Sequence, residues 1–365
     1  MTAEPVGLAL VVGIAAFLAS AGLSELARRY ALARALIDVP NERSSHSVPT
    51  PKGGGLAIAL VVLGGLALLS TLGQVGPHVA VGLGGGGGLV AVVGWLDDHR
   101  GLSASVRLTV HVVAAAWTVA WLGGMPDLTV GEGALHLGLP GAILAVLGVV
   151  WATNLYNFMD GIDGLSAAEA VAVGLVGALL LAPREPSLAF VALLLAAAAA
   201  GFLVWNWPPA RLFMGDVGSG FLGFLFGGLS VATENAHALP VLVWLVLLGP
   251  FFVDATVTLI RRVVRGEGWQ VAHRAHAYQR AVQAGWSHGR VTGMVVALSA
   301  ALGLAACLVV RNQALLGPVL GGAACVLGVI YLVVERWRPM PPMIDRSGDG
   351  EQRSDGDLAG RRPSG

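Results

Sequence analysis

Charged side chains are scarce in this 365-residue sequence, at 12% of all residues. An ordinary soluble domain carries about 25%. Lys+Arg and Asp+Glu both number 22, so no net charge steers the protein toward an anionic partner. These shortages exclude a typical soluble enzyme, a disordered chain and a nucleic-acid-binding protein. Cysteine is also rare: Cys307 and Cys325 both lie in apolar runs, which argues against a disulfide framework or a zinc site.

Apolar residues and glycine fill the sequence instead. It is 55% hydrophobic, its mean hydropathy is +0.74, and its 52 glycines suit close helix packing in lipid. Because about 20 mostly apolar residues cross a bilayer as a helix, we predict an all-α, polytopic membrane protein. It forms one transmembrane domain, residues 1–338, and the polar segment 339–365 has the composition of a disordered tail. Eleven spans are predicted, at 6–23, 54–73, 79–96, 108–124, 139–156, 165–182, 188–205, 218–233, 239–260, 291–310 and 315–334.

The basic residues are distributed unevenly between the gaps that separate these spans. One alternate set of gaps, with the tail, holds twenty of them, and the other set holds only Arg184 and Arg311. Basic residues accumulate on the cytoplasmic side, so the N-terminus is predicted to be periplasmic and the C-terminus cytoplasmic. The motif-like polar residues lie in the same cytoplasmic gaps, and we therefore expect an active site there.

Three acids stand at predicted span ends. Asp97 and Asp98 end the third span, and adjacent acids in apolar surroundings repel each other unless a cation neutralises them. Asp216 lies in Gly-Asp-Val-Gly-Ser directly before another span, where glycine backbone and a helix N-terminus favour a phosphate. The alternatives are a solvated acid pair that marks a helix end and a plain glycine-rich turn.

A row of amides and acids follows the fifth span. Asn154, Asn157, Asp160 and Asp163 recur every three residues, which on a helix would place them along one broad side. Such a row at a membrane helix end is costly unless it binds something polar. Amides suit a sugar or a nucleobase, and acids suit a metal or sugar hydroxyls. The alternative is a polar seam between packed helices.

The longest cytoplasmic gap carries His273 and His276 with Arg274 and Arg280. A zinc pair would fit the histidine spacing, although no accompanying Cys or HExxH pattern is present. A His and Arg cluster that binds phosphate fits better. The remaining alternative is a basic loop that only obeys the positive-inside rule.

One acid is predicted to lie inside the membrane. Asp254 falls within the ninth span, where an ionisable residue is a functional candidate by default. The alternative is an ion pair with Arg261 or Arg262, about two turns farther along the chain. The acids, glycines, amides and cations described so far are together the equipment for phosphoryl transfer between a soluble nucleotide and a lipid.

Several long motifs resemble those of the polyprenyl-phosphate N-acetylhexosamine-1-phosphate transferases, a superfamily that includes the phospho-MurNAc-pentapeptide transferase. The resemblance extends from about residue 38 to 290, with all motifs in order. The motifs are Asp38-x-Pro-Asn-x-Arg-Ser-Ser-His46, Pro49-Thr-Pro-x-Gly-Gly-Gly55, Asp97-Asp98-x-x-Gly-Leu-Ser103, Asn154-x-x-Asn-Phe-Met-Asp-Gly-Ile-Asp-Gly-Leu165 and Phe213-Met-Gly-Asp-Val-Gly-Ser219.

The resemblance implies an Mg²⁺-dependent enzyme of the bacterial inner membrane, with Mn²⁺ able to substitute. It would transfer a sugar-1-phosphate from a UDP-N-acetylhexosamine to undecaprenyl phosphate, release UMP and initiate a cell-surface glycan. A homodimer is one assembly that it allows. The family pattern implies that Asp216 is a magnesium ligand and that Asp97 and Asp98 lie near the metal and the lipid phosphate. It makes Asp97 a second candidate ligand of the metal. Catalytic roles also fall to Arg274 and His276.

Substrate contacts are expected from the amide and acid row, residues Asn154, Asn157, Asp160 and Asp163, and from Thr50, Lys52, Gly218, Ser219, His273 and Arg280. The loop at 273–280 departs from the three consecutive histidines of the peptidoglycan enzyme. It is more similar to the O-antigen branch of the superfamily, which uses other N-acetylated hexosamines.

Two readings of the chemistry stay open at this stage. Transfer proceeds either by direct displacement or through an aspartyl-phosphate, since Asp can be phosphorylated. The main rival class is a transporter or flippase, which would line its route with polar groups near the bilayer midplane. In this sequence the polar motifs cluster at one surface, and only Asp254 is predicted to lie deep.

Overall fold

A computed structural model of the protein describes residues 3–40, 48–267 and 274–340. Thirteen α-helices make up nearly all of its regular structure: α1 (Ala3–Ala33), α2 (Gly55–Thr71), α3 (Pro77–Arg100), α4 (Ala104–Trp121), α5 (Leu139–Phe158), α6 (Leu165–Leu181), α7 (Pro186–Asn206), α8 (Asp216–Asn235), α9 (Val241–Leu247), α10 (Gly249–Val264), α11 (Ala277–Gln283), α12 (His288–Arg311) and α13 (Leu316–Trp337). The predicted all-α membrane fold is confirmed.

Two short antiparallel hairpins supplement the helices, and neither was predicted. Strand β1 (Ile37–Asp38) pairs with β2 (Thr50–Pro51), and β3 (Asp127–Val130) pairs with β4 (Gly133–His136). The second hairpin connects α4 to α5. A single 3-10 turn, Gln313–Leu315, precedes α13.

Eight helices of the described part are long and apolar enough to cross a membrane, and the pair α9 and α10 makes a ninth span if it is counted as one. Helices α2 and α6 are apolar but have only 17 residues each. Together these segments correspond to the eleven predicted spans, whose number stays a prediction. The span predicted at 239–260 is not continuous, because α9 and α10 meet at an angle of 84°. Gly249 and Pro250 lie at this break, and proline cannot continue the hydrogen-bond ladder of a helix.

Helix α8 is the centre of the bundle. Every residue from Val217 to Glu234 is buried, and the helix packs between α3 and α5. Helices α1 and α13 lie at the periphery and bury few of their residues, which is the pattern of lipid-facing spans. Glycine allows close contacts between the central helices: a Cβ atom on Gly94 of α3 would lie 2.7 Å from the carbonyl oxygen of Asp216.

Amino ends of some helices and carboxyl ends of others meet at one end of the bundle. The carboxyl ends of α3 and α5 lie there together with the amino ends of α4 and α8. Successive spans that alternate in direction produce this arrangement. The assignment of this end to the cytoplasm stays a prediction from the basic residues.

Candidate active site

The contact between α3 and α8 brings three carboxyl groups together. Asp98 accepts a hydrogen bond from the backbone N–H of Val217 at 3.3 Å, so an acid on α3 stabilises the first turn of α8. Asp216 is the first residue of α8, and Asp97 is the neighbour of Asp98. The motifs around residues 97 and 216, more than a hundred residues apart in the chain, therefore form one site.

Arg107 links two of these acids. Its Nη1 atom donates to Asp97 Oδ2 at 2.6 Å and to Asp216 Oδ2 at 2.9 Å. Asp97 uses its other oxygen to accept from the backbone N–H of Leu102 at 2.6 Å. Sequence reasoning missed Arg107, which had counted only toward the orientation of the spans. Its position in the first turn of α4, directly after the Ser103 helix cap, was the available signal.

Lys52 supplies the second cation of the site. Its Nζ atom lies 3.8 Å from Asp98 Oδ1, and its side chain is about one-third exposed. Backbone hydrogen bonds hold it there, since Phe213 donates to Pro51 O at 2.8 Å and Gly54 donates to Phe213 O at 2.9 Å. The entry to α2 thus runs beside the entry to α8.

Two members of the predicted amide and acid row reach the same place. Asn157 donates from Nδ2 to Asp216 Oδ2 at 3.2 Å. Burial raises the pKa of Asp160 well above its usual value, and the nearby charges of Asp216 and Asp98 act in the same direction. Among the described residues, no basic side chain forms an ion pair with Asp160.

The balance of charge in this cluster favours a cation. We call Asp97, Asp98, Asp160 and Asp216, with Lys52 and Arg107, the carboxylate cluster. When ionised, its four acids exceed its two bases by two negative charges. Within 3–40, 48–267 and 274–340, no three His, Cys, Asp or Glu side chains stand at the spacing of a preformed metal site.

The donors nevertheless fit Mg²⁺ in chemistry. This ion prefers oxygen ligands, and it commonly takes only one or two protein carboxylates while water and substrate phosphates complete its shell. Oδ1 of Asp216 accepts no hydrogen bond from the described part of the chain, and its side chain is 28% exposed. Asp216 is therefore the best-placed ligand for Mg²⁺. Asp97 is next to it, because both carboxylates accept a hydrogen bond from Nη1 of Arg107.

The row from 154 to 163 does not form one side of a helix as expected, because α5 ends at Phe158 and a loop with Gly161 and Gly164 follows. Asn154 donates back to Val150 O on its own helix at 2.7 Å. Asp163 turns away from the carboxylate cluster.

Asp163 connects three segments around the start of α6. Its Oδ2 atom accepts from the backbone N–H of Ala210 at 3.1 Å, and its Oδ1 atom lies 3.3 Å from His288 Nδ1. Its carbonyl oxygen accepts from Thr292 at 3.0 Å. Ala210 follows α7, while His288 and Thr292 lie at the start of α12. These contacts give Asp163 a role in joining the helices.

Three other predicted contact residues are packed inside the protein. A Cβ atom on Gly218 would lie 2.6 Å from the Cα atom of Gly55, so the two glycines let α8 approach α2. Ser219 is fully buried and donates to Gly215 O at 3.2 Å. Thr50 is 5% exposed and donates to Val48 O at 3.0 Å.

The second polar group of the site surrounds His276, at the start of α11. Its Nδ1 atom lies 3.5 Å from Asp254 Oδ1, and its ring stacks on that of Phe158 with 6.0 Å between centroids. Asp254 accepts from the backbone N–H groups of Ala277 and Tyr278 at 2.8 and 3.0 Å. The expected alternative for Asp254, an ion pair with Arg261 or Arg262, is wrong, because its partners are His276 and the first turn of α11.

The loop before α11 holds the remaining candidates. Arg274 accepts from Gln283 Nε2 through its carbonyl oxygen at 3.0 Å. Arg280 is fully buried and pairs with Glu335 of α13, so it contacts α13 and not the carboxylate cluster. His273 lies outside the described residues, as do residues 41–46 of the motif that ends at His46.

Comparison with known proteins identifies the family. The sequence model of glycosyl transferase family 4 matches residues 80–234. The probable undecaprenyl-phosphate N-acetylglucosaminyl 1-phosphate transferase of Bacillus subtilis is 30% identical over 285 residues, which cover 76% of this chain and 77% of that protein. The chain belongs to glycosyl transferase family 4.

Two further relatives of the family extend the comparison. The decaprenyl-phosphate N-acetylglucosaminephosphotransferase of Mycolicibacterium smegmatis is 27% identical over 391 residues, covering 94% of this chain and 89% of that protein. The phospho-N-acetylmuramoyl-pentapeptide-transferase of a Synechococcus strain is 36% identical over 231 residues, covering 58% and 66%. The region that matches the family model includes every member of the carboxylate cluster except Lys52 and ends before α9, α10 and α11.

Proposed function

We propose that this protein transfers an N-acetylhexosamine-1-phosphate group from a UDP-sugar to undecaprenyl phosphate, releases UMP and so forms the lipid-linked sugar that initiates a cell-surface glycan. The observation that carries the proposal is the carboxylate cluster, which combines an excess of acids with two cations at one end of a membrane bundle. Membership of glycosyl transferase family 4 supports it, since the relatives are named as phosphotransferases that act on prenyl phosphates.

The reaction is a displacement at phosphorus. An oxygen of the lipid phosphate attacks the sugar-side phosphorus of the UDP-sugar, the bond from that phosphorus to the UMP oxygen breaks, and UMP leaves with the bonding electrons. The second pKa of a phosphate monoester is about 6, so the lipid phosphate is mostly dianionic near neutral pH. The attack therefore needs no strong base.

The hydrogen bonds of Asp97 and Asp98 agree with this conclusion. Both oxygens of Asp97 already accept, from Leu102 and Arg107, and Asp98 accepts from Val217 while it faces Lys52. Asp97 thus positions Arg107, and Asp98 positions Lys52 and the first turn of α8. We propose that Lys52 and Arg107 bind the phosphate oxygens of the two substrates.

Asp216 and Asp97 would hold Mg²⁺. The ion, when bound, would neutralise charge on the pyrophosphate and on the leaving UMP. Asn157 orients Asp216 through its amide hydrogen bond. His276 and Arg274 would offset the remaining phosphate charge from the other side of the 158–161 segment, on which α11 packs.

The names of the relatives support a choice of donors to test. Those from Bacillus subtilis and Mycolicibacterium smegmatis are named for N-acetylglucosamine, so UDP-N-acetylglucosamine is the first donor to test. The loop at residues 273–280 supports another N-acetylated hexosamine of the O-antigen type as the second. In either case we propose a multi-pass protein of the bacterial cytoplasmic membrane.

The decisive experiment measures UMP release by the purified full-length protein in detergent. The protein is incubated with undecaprenyl phosphate, Mg²⁺ and a panel of UDP-N-acetylhexosamines, with each component left out in turn. We expect UMP release with one donor only, dependent on the lipid phosphate, abolished by EDTA and restored by added Mg²⁺. Transport of a lipid-linked substrate without any UMP release would contradict the proposal and favour a flippase.

A further inference from the structure

Helix α13 lies far from the carboxylate cluster along the chain, yet it holds two arginines that belong to other helices. Glu335 of α13 accepts two hydrogen bonds from Arg261 of α10, at 2.7 and 2.9 Å, and a third from Nη1 of Arg280 on α11. A carboxylate that binds two guanidinium groups joins three helices at one point.

The pairing of Arg280 is the critical contact of this group. The residue is fully buried, and its Nη1 atom also donates to the carbonyl oxygen of Arg338 at 3.0 Å. Its Nε and Nη2 atoms donate to no acceptor within the described residues. Glu335 is thus the counterion of a buried charge, and removal of one partner from such a pair leaves the other charge uncompensated.

Tyr331 lies one turn before Glu335 on α13 and contacts the same two arginines. Its ring lies under both guanidinium groups, 5.7 Å from Arg261 and 5.0 Å from Arg280. Its hydroxyl group is 3.2 Å from Thr258 Oγ1, which donates to Asp254 Oδ1 at 3.1 Å. Asp254 in turn accepts from the amino end of α11. One connected network therefore holds both ends of α11.

The opposite side of α11 faces the carboxylate cluster. Tyr278 donates from its hydroxyl group to Phe158 O at 2.9 Å, and a Cβ atom on Gly161 would lie 2.2 Å from that hydroxyl oxygen. Phe158 and Gly161 flank the segment that contains Asp160. A displacement of α11 would therefore be transmitted both to His276 and to this segment.

We propose that Glu335 is a positioning residue for the transfer reaction: through Arg280, Arg261 and Tyr331 it holds α11, and with it His276, against the Asp160 segment. This inference rests on the proposed function. It assigns a kinetic role to a residue that lies a hundred positions beyond the region matched by the family model.

The test compares Glu335→Gln with a matched control, Glu25→Gln. Glu25 of α1 also binds two arginines, Arg28 and Arg29, each at 2.7 Å, and its side chain is 19% exposed against 21% for Glu335. It has no contact with α11. We expect Glu335→Gln to lower kcat for UMP release about tenfold to a hundredfold, with a smaller change in KM for the donor. Glu25→Gln should leave kcat within about twofold of wild type, because Glu25 and its two arginines all lie on α1 and ion pairs within one helix contribute little. Glu335→Asp, which keeps the charge, should recover most of the loss.

A double-mutant cycle separates positioning from general destabilisation. Tyr278→Phe removes the hydrogen bond to Phe158, so its effect on kcat should be less than multiplicative with that of Glu335→Gln if both residues hold the same helix. With Glu25→Gln the effects should multiply. A kcat for Glu335→Gln within twofold of that for Glu25→Gln, or a fully multiplicative cycle, would overturn the proposal.

A replacement variant and a measurement without turnover allow the test to be interpreted if Glu335→Gln does not fold. If Glu335→Gln yields no folded protein, Arg280→Lys carries the same comparison, because it keeps the charge and loses the forked geometry. The rings of Trp286, just after α11, and Trp337 of α13 are 5.6 Å apart. Because the sequence has ten tryptophans, the part of the Trp emission that is lost on Trp286→Phe is what reports the α11–α13 contact without any reaction. A wild-type protein that releases no UMP would overturn the proposed function itself. Normal wild-type turnover with an unaffected Glu335→Gln variant would overturn only the role of Glu335.

Discussion

The two ends of helix α8 each carry one acid, and the surroundings of the two acids differ. At the amino end, Asp216 shares Oδ2 with Arg107 and Asn157, accepts no hydrogen bond at Oδ1 within the described chain, and stands among three other carboxylates. At the carboxyl end, Glu234 is 2% exposed, and its two oxygens accept from the backbone N–H groups of Thr129 and Val241 at 2.7 and 2.5 Å.

The difference separates an acid that can bind a ligand from an acid that holds the fold together. Glu234 satisfies backbone donors where the β3–β4 hairpin and the start of α9 meet α8, and it leaves no oxygen without a partner. Asp216 has an oxygen to offer and an excess of negative charge around it. An acid at a helix end is thus a functional candidate when one of its carboxylate oxygens has no hydrogen-bond donor in the fold.

The strongest way to break this comparison is Asp216→Asn. We expect it to lower kcat for UMP release by at least about 10³-fold, because the amide loses the charge that would bind Mg²⁺ and several kcal/mol of transition-state stabilisation with it. UMP release at saturating donor and lipid phosphate measures the effect. Unaltered thermal unfolding in detergent is the control. A variant that keeps a tenth or more of wild-type kcat would show that Asp216 is not needed for the transfer reaction.

A smaller loss is expected from Gly94→Ala. The new methyl group would lie 2.7 Å from the backbone of Asp216 and Val217, so α3 and α8 must separate at the carboxylate cluster. Overpacking of this kind costs about 1–3 kcal/mol of stability. A displacement of about 1 Å at a reacting group costs up to about 10²-fold in rate, and we expect kcat to fall about tenfold.

The matched control for this change lies on the same helix. Gly88 of α3 has no atom within 4 Å of a new Cβ atom, so Gly88→Ala should leave both kcat and thermal unfolding close to wild type. Equal kcat values for the two alanine variants would show that the α3–α8 spacing at Gly94 does not matter for transfer.

The smallest effect on activity is expected from Glu234→Gln. The amide offers one acceptor oxygen where two backbone N–H groups need one each, and an unsatisfied buried group costs about 1–3 kcal/mol. Thermal unfolding should therefore occur at a lower temperature while kcat of the folded protein stays within about twofold of wild type. A large loss of kcat at unchanged stability would place Glu234 in the reaction and cancel the contrast with Asp216.

Local sequence patterns predicted much of the fold and part of the site. Hydropathy predicted the helices, and the motifs around Asp97, Asn157 and Asp216 named residues that the structure brings into contact. The bend within the span predicted at 239–260 was not foreseen, and the helical row predicted at 154–163 was wrong, although Gly249, Pro250 and Gly161 were visible as helix-breaking residues. At 239–260 the long apolar run favoured an unbroken helix despite Gly249 and Pro250. At 154–163 the regular spacing of the polar residues favoured a helix despite Gly161.

By itself, the sequence determined that the chain is helical and membrane-spanning, because apolar length and the shortage of charge act locally along the chain. It also predicted that the chemistry lies where acids and glycines interrupt the apolar runs. Only the tertiary structure decided which partner each polar residue has: Arg107 for Asp216, His276 for Asp254, and Glu335 for Arg280. Such partners lie tens to more than a hundred positions apart, and no helical or strand periodicity relates residues at that separation, so their pairing depends on how the helices pack.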